Sequence, residues 1–487
     1  MITADYIALH AAERPDAAAV VNNGHAISYA EFDRDIGRFT AALSEFGLPR
    51  GVTVTVGCED FHIHWLLLLA LERLDVATAS YHSGEGPREC RELLAGADLV
   101  LSEAHFPTDG AKRHATITQS WLQDALARGP EESAPRIEGA PGDPIRVLRS
   151  SGTTGRPKRF VVTRQMYETR IASPHKPFPF ARTSRYLLTM PFTVNTVYRC
   201  ATICVRSGGT VVVERFQGGA GAARAIMMHG ITHLTLHPLA LKQILDDLPP
   251  DFVKPANLSI ATFGSAMSDE LSGRALQHLA TEVIDFFGCN EVGGIAYRHA
   301  TLQDDFAVVW PGIEVEAVDE AAQPVPMGQP GRLRIRSESA VEGYLDDPET
   351  TRRMFKDGWF YPGDVAILDG PRRLKVIGRG DEILNISGSK LAPSDLEAVV
   401  MRYAAVGDVG ICTFANRERI EEVYVAVANV RQDPKELLAR VTQAFRFQQL
   451  GVFHVVVLPA IPRTASGKIQ RDALKRAIAA ALGLEAS

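Results

Sequence analysis

The stretch VLRSSGTTGRPKRFVVT, residues 147–163, sets serine, glycine and threonine pairs at 150–155 between flanks that read as β-strand, and follows them with Pro157 and Lys158. Glycines let a backbone come close to a ligand, consecutive N–H groups form an anion nest, and the hydroxyls add donors. A loop of this kind suits a polyphosphate. It is not a Walker loop, because G-x-x-x-x-G-K-[ST] is missing and the lysine follows a proline. Taken alone, the stretch reads equally well as a polar turn between two strands.

The rest of the chain narrows the choice. Its 487 residues predict two or three domains, and 46% hydrophobic with 23% charged residues is the balance of a globular protein. A net charge of -6 argues against a nucleic-acid footprint, because phosphate backbones reward a strongly basic face. The six cysteines (58, 90, 200, 204, 289, 412) form no C-x-x-C pair and read as reduced intracellular thiols. Cys200 and Cys204 lie in a pattern of buried helix running into strand, so core packing is expected there and no metal site. The N-terminal MITADYIALHAAERPD has charges where a secretory leader needs an apolar core, and IHWLLLLALERL is too short to span a bilayer. A cytoplasmic protein without a membrane span is expected.

The order of elements predicts an α/β fold. Residues 27–45 show helical spacing behind a serine cap, 62–75 repeat the pattern, and GVTVTVGC between them alternates as a strand. From 207 to 290, short β-rich runs and amphipathic helices cycle between glycine turns, the rhythm of parallel α/β layers. After about residue 300 the chain reads as antiparallel strands joined by Pro/Gly turns, a β-subdomain. Residues 381–487 suffice for a small α+β domain. The expected division is 1–380, a large N-terminal domain of layered α/β sheets plus the β-subdomain, and 381–487.

SSGTTGRPK resembles the phosphate loop of the AMP-forming adenylating superfamily: acyl- and aryl-CoA synthetases, non-ribosomal-peptide adenylation domains and luciferases. Further segments follow in that family's order: FGCNEVGG (287–294), GWFYPGDVA (358–366), GRGDEILNISGSKLAPSDLE (378–397) and PRTASGKIQR (462–471), with GYLDDPETT (343–351) and AAERPDAAAV as minor matches. The resemblance spans essentially the whole chain. It implies an acid–thiol ligase that forms an acyl-adenylate from ATP with Mg²⁺, releases pyrophosphate, and transfers the acyl group to the thiol of coenzyme A or of a carrier-protein phosphopantetheine, with any carrier supplied in trans. Attack of one anion on another needs cations and preorganised donors.

Residue by residue, the resemblance gives Ser150, Ser151, Gly152, Thr153, Thr154 and Gly155 the polyphosphate, with Lys158 closing the loop. It makes Glu291 the Mg²⁺ ligand and Lys468, on the mobile small domain, the cation that favours adenylation. Asp364 with Arg379 would take the ribose, and Gly264, Ser265, Ala266 and Phe287 would frame the adenine. Asp381 falls at the hinge and Gly388 at the thiol channel. Outside these motifs, Asp364 reads as a turn aspartate, Phe287 as a core aromatic and Lys468 as a solvated charge.

Three positions depart from the family pattern. Asn290 precedes the glutamate where threonine is usual, and its amide still donates. Pro362 replaces the threonine before Gly-Asp. In TMPFTVNTVYR (189–199), Thr193 and Val194 stand where many acyl-CoA synthetases keep a gating histidine or aromatic. The next residue, Asn195, is neutral and cannot pair with an α-ammonium as the aspartate of amino-acid-activating members does. Stand-alone aryl-acid ligases that load siderophore carriers have asparagine in a similar place, so a small aromatic or hydroxylated acid is the expected substrate, with His233 and His237 as further pocket candidates. A cap role for Asn195 stays open. Two other readings stand beside the ligase: an adenylate passed to an amine, and a non-catalytic nucleotide-binding protein, which would have little need for Lys468.

Overall fold

A computed structural model describes all residues except 84–86, 130–136, 151–157, 173–176, 266, 302–303, 381–383, 387–388, 392, 416–420, 446–451, 465–466 and 484–487. The helix behind Ser28 spans Tyr29–Ser44 and starts with a capping box: Ser28 Oγ accepts the Glu31 N–H while the Glu31 carboxylate accepts the Ser28 N–H. Phe32, Ile36, Phe39 and Leu43 recur on its buried face. Phe32 meets Trp65 of the helix Phe61–Arg73, with ring centroids 5.3 Å apart.

Two sheets flank the largest apolar core. One has parallel strands ordered His114–Thr116, Leu99–Ser102, Thr53–Gly57, Ala77–Tyr81 and Pro144–Ser150, closed by Lys158–Thr163 running antiparallel. The other has the parallel run Ala18–Asn22, Thr210–Val213, Arg185–Leu187, His233–Leu236, Ser259–Phe263 and Glu282–Cys289. This is the cycling expected from residues 207–290. Cys200 and Cys204 are buried on the helix Asn195–Arg206, in the core as expected.

The antiparallel strands expected beyond residue 300 are present, packed around an apolar core of their own that includes Val309, Leu333, Ile335 and Phe360, and they are joined by hydrogen bonds to the parallel run. Gly293–His299 pairs antiparallel with Glu282–Cys289, and Ala307–Val309, Arg373–Arg379, Asp364–Leu368 and Pro330–Ser337 continue the same hydrogen-bonded sheet. The reversal over Asn290–Val292 requires glycine on both legs. Gly293 has φ +96°, and a Cβ on Gly288 would stand 2.3 Å from the Gly293 carbonyl oxygen. This turn places Glu291 at the end of an interior strand pair of the sheet.

Toward the C-terminus, the strands Asp408–Ala415, Glu421–Ala428 and Phe453–Val457 form a separate sheet. Strand alternation sends Val423, Val425 and Val427 toward the helices Pro393–Ala404 and Pro434–Ala444, and Tyr424, Ala426 and Ala428 toward the helix Arg471–Leu482. The expected small α+β unit therefore has an apolar core on each face of its sheet.

Candidate active site

Ser150 and Lys158 face each other in the antiparallel pair, so the two ends of the glycine-rich loop are fastened together. Ser151, Gly152, Thr153, Thr154 and Gly155 lie outside the described residues. Lys158 is 8% exposed, with its ammonium 5.3 Å from the ring centroid of Tyr344 and 3.8 Å from Met354 Sδ. Burial and then the charge of Arg353 lower its pKa, while Asp347 and Glu291 pull it back.

Glu291, 5% exposed, is held through both its side chain and its backbone. Tyr344 Oη donates to Glu291 Oε1 at 2.9 Å and also engages the Ser150 side chain. Burial and the adjacent carboxylate push the Tyr344 phenol well above its ordinary range, which keeps it a donor. Below the turn, the buried Arg170 guanidinium donates to the carbonyls of Asn290 (3.1 Å), Glu291 (2.8 Å) and Ser339 (2.7 Å). Desolvation lowers the pKa of Arg170 to about 10. Asn290 Nδ2 donates to the Arg149 carbonyl at 2.8 Å, tying the turn to the strand that feeds the glycine-rich loop. Sequence reasoning missed Tyr344 and Arg170. Tyr344 lay inside GYLDDPETT and could have been flagged, whereas Arg170 sits in no motif.

Asp364 and Arg379 are opposite one another in their strand pair, with Arg379 Nη1 3.8 Å from Asp364 Oδ1. Arg379 also donates to the Pro362 carbonyl, so the residue that lacks an N–H still contributes through its oxygen. Gly264, φ +94°, and Ser265 follow the strand Ser259–Phe263, and Ala266 lies outside the described residues. Phe287 is half-buried and packs on the cluster that includes Val292 and Ile295.

Lys468 reaches this region on a hairpin of the C-terminal unit. Thr464 N–H donates to the Lys468 carbonyl at 2.8 Å, Lys468 N–H donates to Thr464 Oγ1 at 3.1 Å, and Arg463 fixes the base by a double contact to Asp408 at 3.0 and 2.6 Å. Gly467, φ +79°, lies flat on His237; a Cβ there would stand 2.6 Å from His237 Cγ. His237 caps the helix Pro238–Asp246, its Nδ1 accepting the Ala240 N–H at 3.1 Å. Burial and then Arg463 hold its pKa below the ordinary histidine value. A second link across is the ion pair Arg402–Glu270, 3.1 Å. Burial and then Glu291 push the Cys289 thiol up, and the charges of Asp364 and Lys468 also reach it. Glu291, Asp364 and Lys468 thus all lie within electrostatic reach of the Cys289 thiol. Asp381 and Gly388 lie outside the described residues.

Thr193, Val194 and Asn195 enter the helix Asn195–Arg206. Val194 is its N-cap residue, and no side chain caps it. Asn195 is therefore not a cap. Its Oδ1 and Thr193 Oγ1 are both buried without a hydrogen-bond partner among the described residues. His233 is satisfied locally, 2.7 Å from Thr232 Oγ1 and 2.8 Å from the Pro179 carbonyl.

The family model described as "AMP-binding enzyme" matches residues 7–345. The chain belongs to this family of AMP-binding enzymes. It is 25% identical to 4-coumarate–CoA ligase 5 of Oryza sativa subsp. japonica, over 98% of this chain and 95% of that one. To sulfoacetate–CoA ligase of Cupriavidus necator it is 24% identical, over 96% of each. Among solved structures, the anthranilate CoA ligase AuaEII in complex with anthranoyl-AMP superposes with a TM-score of 0.88 at 17% identity, covering 99% of this chain and 98% of the other. The fold is thus the two-domain adenylate-forming fold. This AMP-binding enzyme is an AMP-forming acid–thiol ligase: it uses ATP and Mg²⁺ to convert a small carboxylic acid to acyl-AMP, releases pyrophosphate and transfers the acyl group to a thiol. No helix among the described residues is long and apolar enough to cross a membrane.

Proposed function

We propose that the acid is a small aromatic carboxylic acid carrying a ring hydroxyl or amine. The observation that carries this reading is the pair of buried, unpartnered polar atoms at the mouth of the helix Asn195–Arg206, Thr193 Oγ1 and Asn195 Oδ1. A buried acceptor left without a donor costs about 1–3 kcal/mol, so an acid that supplies the donor is selected over one that does not. Names of similar proteins, coumarate and anthranilate ligases, point the same way.

In the proposed mechanism, Ser150 to Gly155 hold the β- and γ-phosphates with Lys158 at the loop's end, and Asp364 with Arg379 holds the ribose. Asn290, Gly264, Ser265, Ala266 and Phe287 complete the nucleotide site. Glu291 fits a hard cation, because Tyr344 occupies Oε1 and leaves Oε2 to an oxygen-seeking ion. Bound there, Mg²⁺ supplies neutralisation of the phosphate charge. A carboxylate oxygen attacks the α-phosphorus, the bond to the bridging oxygen breaks and pyrophosphate leaves with that electron pair. Lys468 offsets the charge at the α-phosphate. The module 381–487 then turns about Asp381, withdraws Lys468 and brings the Gly388 loop to the thiol channel. The thiolate attacks the acyl carbon and AMP departs.

A carrier-borne phosphopantetheine presents the same thiol arm as coenzyme A and is the second acceptor to test. Thr193 and Val194 leave that channel without an imidazole gate, which favours comparing both thiols and an amine. ATP–pyrophosphate exchange over aryl, short aliphatic and amino acids tests the acid, and thioester yield with coenzyme A against a loaded carrier tests the acceptor. Lys468→Ala should suppress exchange by two or more orders of magnitude while sparing transfer from supplied acyl-AMP. Exchange confined to aliphatic acids would refute the substrate reading, and equal loss of both half-reactions would refute the two-position mechanism.

A further inference from the structure

Asn195 and Arg199 stand one turn apart on one face of the helix Asn195–Arg206. Arg199 is 8% exposed, yet it makes no hydrogen bond and no ion pair among the described residues, and its Nε is buried without a partner. Its guanidinium lies 5.8 Å from the ring centroid of Trp310, itself 9% exposed, whose indole Nε1–H is also buried and unpartnered. Two adjacent donors, one of them charged, thus lack an acceptor. Of the other buried arginines, Arg206 pairs with Glu168 at 2.7 Å, Arg170 meets three carbonyls, and Arg146, whose Nε is also unpartnered, still reaches Thr78 Oγ1 at 3.3 Å and Ser80 Oγ and the Phe192 carbonyl at 3.5 Å, whereas Arg199 has no such contact among the described residues.

The pair lines a cleft of about 530 Å³ shared with Arg170, Gly294, Gly312 and Ser339. The cleft backs onto the catalytic turn. Trp310 covers Gly294, where a Cβ would stand 2.2 Å from the indole ring, and Gly294 is opposite Gly288 in the strand pair that carries Glu291. Trp310 also meets Phe286 edge to face at 5.8 Å. Of the two carboxylates at the rim, Glu314 pairs with Arg336, and neither Glu314 nor Glu338 forms an ion pair with Arg199.

A buried guanidinium with no counter-charge is costly, and an oxyanion that presents two oxygens satisfies it through two N–H groups. We infer that Arg199 and Trp310 receive a second anionic group of the acid, so that the preferred substrates are aryl acids bearing a further carboxylate or sulfonate. This rests on the assignment of Asn195 to the acid pocket. It narrows the substrate class from a hydroxylated or amino aryl acid to one that also carries a second charge.

The test uses the full chain and compares isophthalate, terephthalate and 3-sulfobenzoate with benzoate, salicylate and anthranilate. ATP–pyrophosphate exchange is measured for the native protein, Arg199→Gln, Arg199→Lys and Trp310→Phe. Binding of isophthalate to the nucleotide-free protein is followed separately by thermal shift. At least one dianion should exceed benzoate in kcat/KM by about 10- to 100-fold, the range of a charge-assisted buried contact. Arg199→Gln should collapse that preference through KM, Arg199→Lys should restore part of it, and Trp310→Phe should lower it by a smaller factor. Exchange with monoacids whose selectivity is unchanged in Arg199→Gln overturns the inference and leaves the ligase reading intact. Silent exchange beside Arg199-dependent isophthalate binding would overturn the ligase reading and support the anion site. The absence of both signals overturns both.

Discussion

Replacing Gly467 by alanine should separate the two half-reactions, because its consequences are of two kinds. With φ +79°, alanine in place of glycine strains the hairpin by about 1–2 kcal/mol wherever the hairpin sits. The second effect exists only where the hairpin touches His237. The new Cβ would stand 2.6 Å from Cγ, 2.9 Å from Cβ and 2.9 Å from Nδ1 of that ring. The ring cannot easily retreat, since its Nδ1 caps the helix Pro238–Asp246. Overpacking of this kind costs about 1–3 kcal/mol. Charged against the docked position alone, it lowers the rate of adenylate formation by roughly 5- to 150-fold. Acyl transfer from supplied adenylate, which the proposed rotation carries out with Lys468 withdrawn, should fall by no more than about 3-fold. The assay is single-turnover formation of acyl-AMP beside single-turnover thioester formation from synthetic acyl-AMP. His237→Ala removes the obstruction at a capping cost of about 1 kcal/mol, so the double variant Gly467→Ala/His237→Ala should recover adenylation relative to Gly467→Ala. Equal losses in the two half-reactions, or no recovery in the double variant, would refute the docking argument.

Tyr344→Phe keeps the ring under Lys158 and removes only the hydroxyl that holds Glu291 Oε1. The apparent KM for Mg²⁺ should rise about 5- to 10-fold in adenylation, with little change in melting temperature; an unchanged Mg²⁺ dependence would show that Glu291 is positioned without it. Asp285 carries a pH signature: burial, opposed by hydrogen bonds from Thr262 Oγ1 (2.8 Å) and the Met267 N–H (3.4 Å), raises its pKa from 3.8 to about 6. The folded state then binds the proton more tightly than the unfolded one, so this residue's stabilising contribution is full below about pH 4 and is lost as pH rises to about 6. Denaturant titrations at pH 4.5 and 7.5 should show a smaller loss across that interval in Asp285→Asn than in the native protein, and parallel losses would refute the assignment.

The parts of the fold legible in the sequence were those with a local cause. Ser28 with Glu31 announces a helix start, alternation announces the strand Thr53–Gly57, and the glycine punctuation of 207–290 announces parallel layers. The continuity of the sheet beyond residue 293 was not legible, because it depends on a tight reversal between Gly288 and Gly293 that looks like any other glycine turn. The candidate site shows the same division. Glu291, Asp364, Arg379 and Lys468 sit in linear motifs and could be named, but the residues that hold them come from remote segments. Arg170 fixes the Asn290–Val292 turn from the helix Arg164–Ala172, and Tyr344 links it to Ser150 from a loop nearly two hundred positions downstream.

That division has a physical consequence for the orphaned donors. A motif is legible in sequence when several adjacent residues meet one ligand at fixed spacing, as proposed for the glycine-rich loop. A pocket that selects the acid is assembled from single residues on separate elements, and its signal is an unmet requirement in the folded chain. Thr193 Oγ1, Asn195 Oδ1, Arg199 Nε and Trp310 Nε1 are four such atoms. Three of them belong to one stretch, Thr193–Arg199, and Trp310 meets Arg199 across the cleft. Asn195 Oδ1 needs a donor, and Arg199 with Trp310 needs an acceptor, preferably charged. One acid that carries both a ring hydroxyl or amine and a second oxyanion meets all of these needs at once. A hydroxy- or aminophthalate should therefore outperform both the plain phthalate and the plain hydroxybenzoate, with a gain over benzoate that approaches the product of the two single gains. A fall to or below the better single acid would mean that the two groups of atoms serve different ligands.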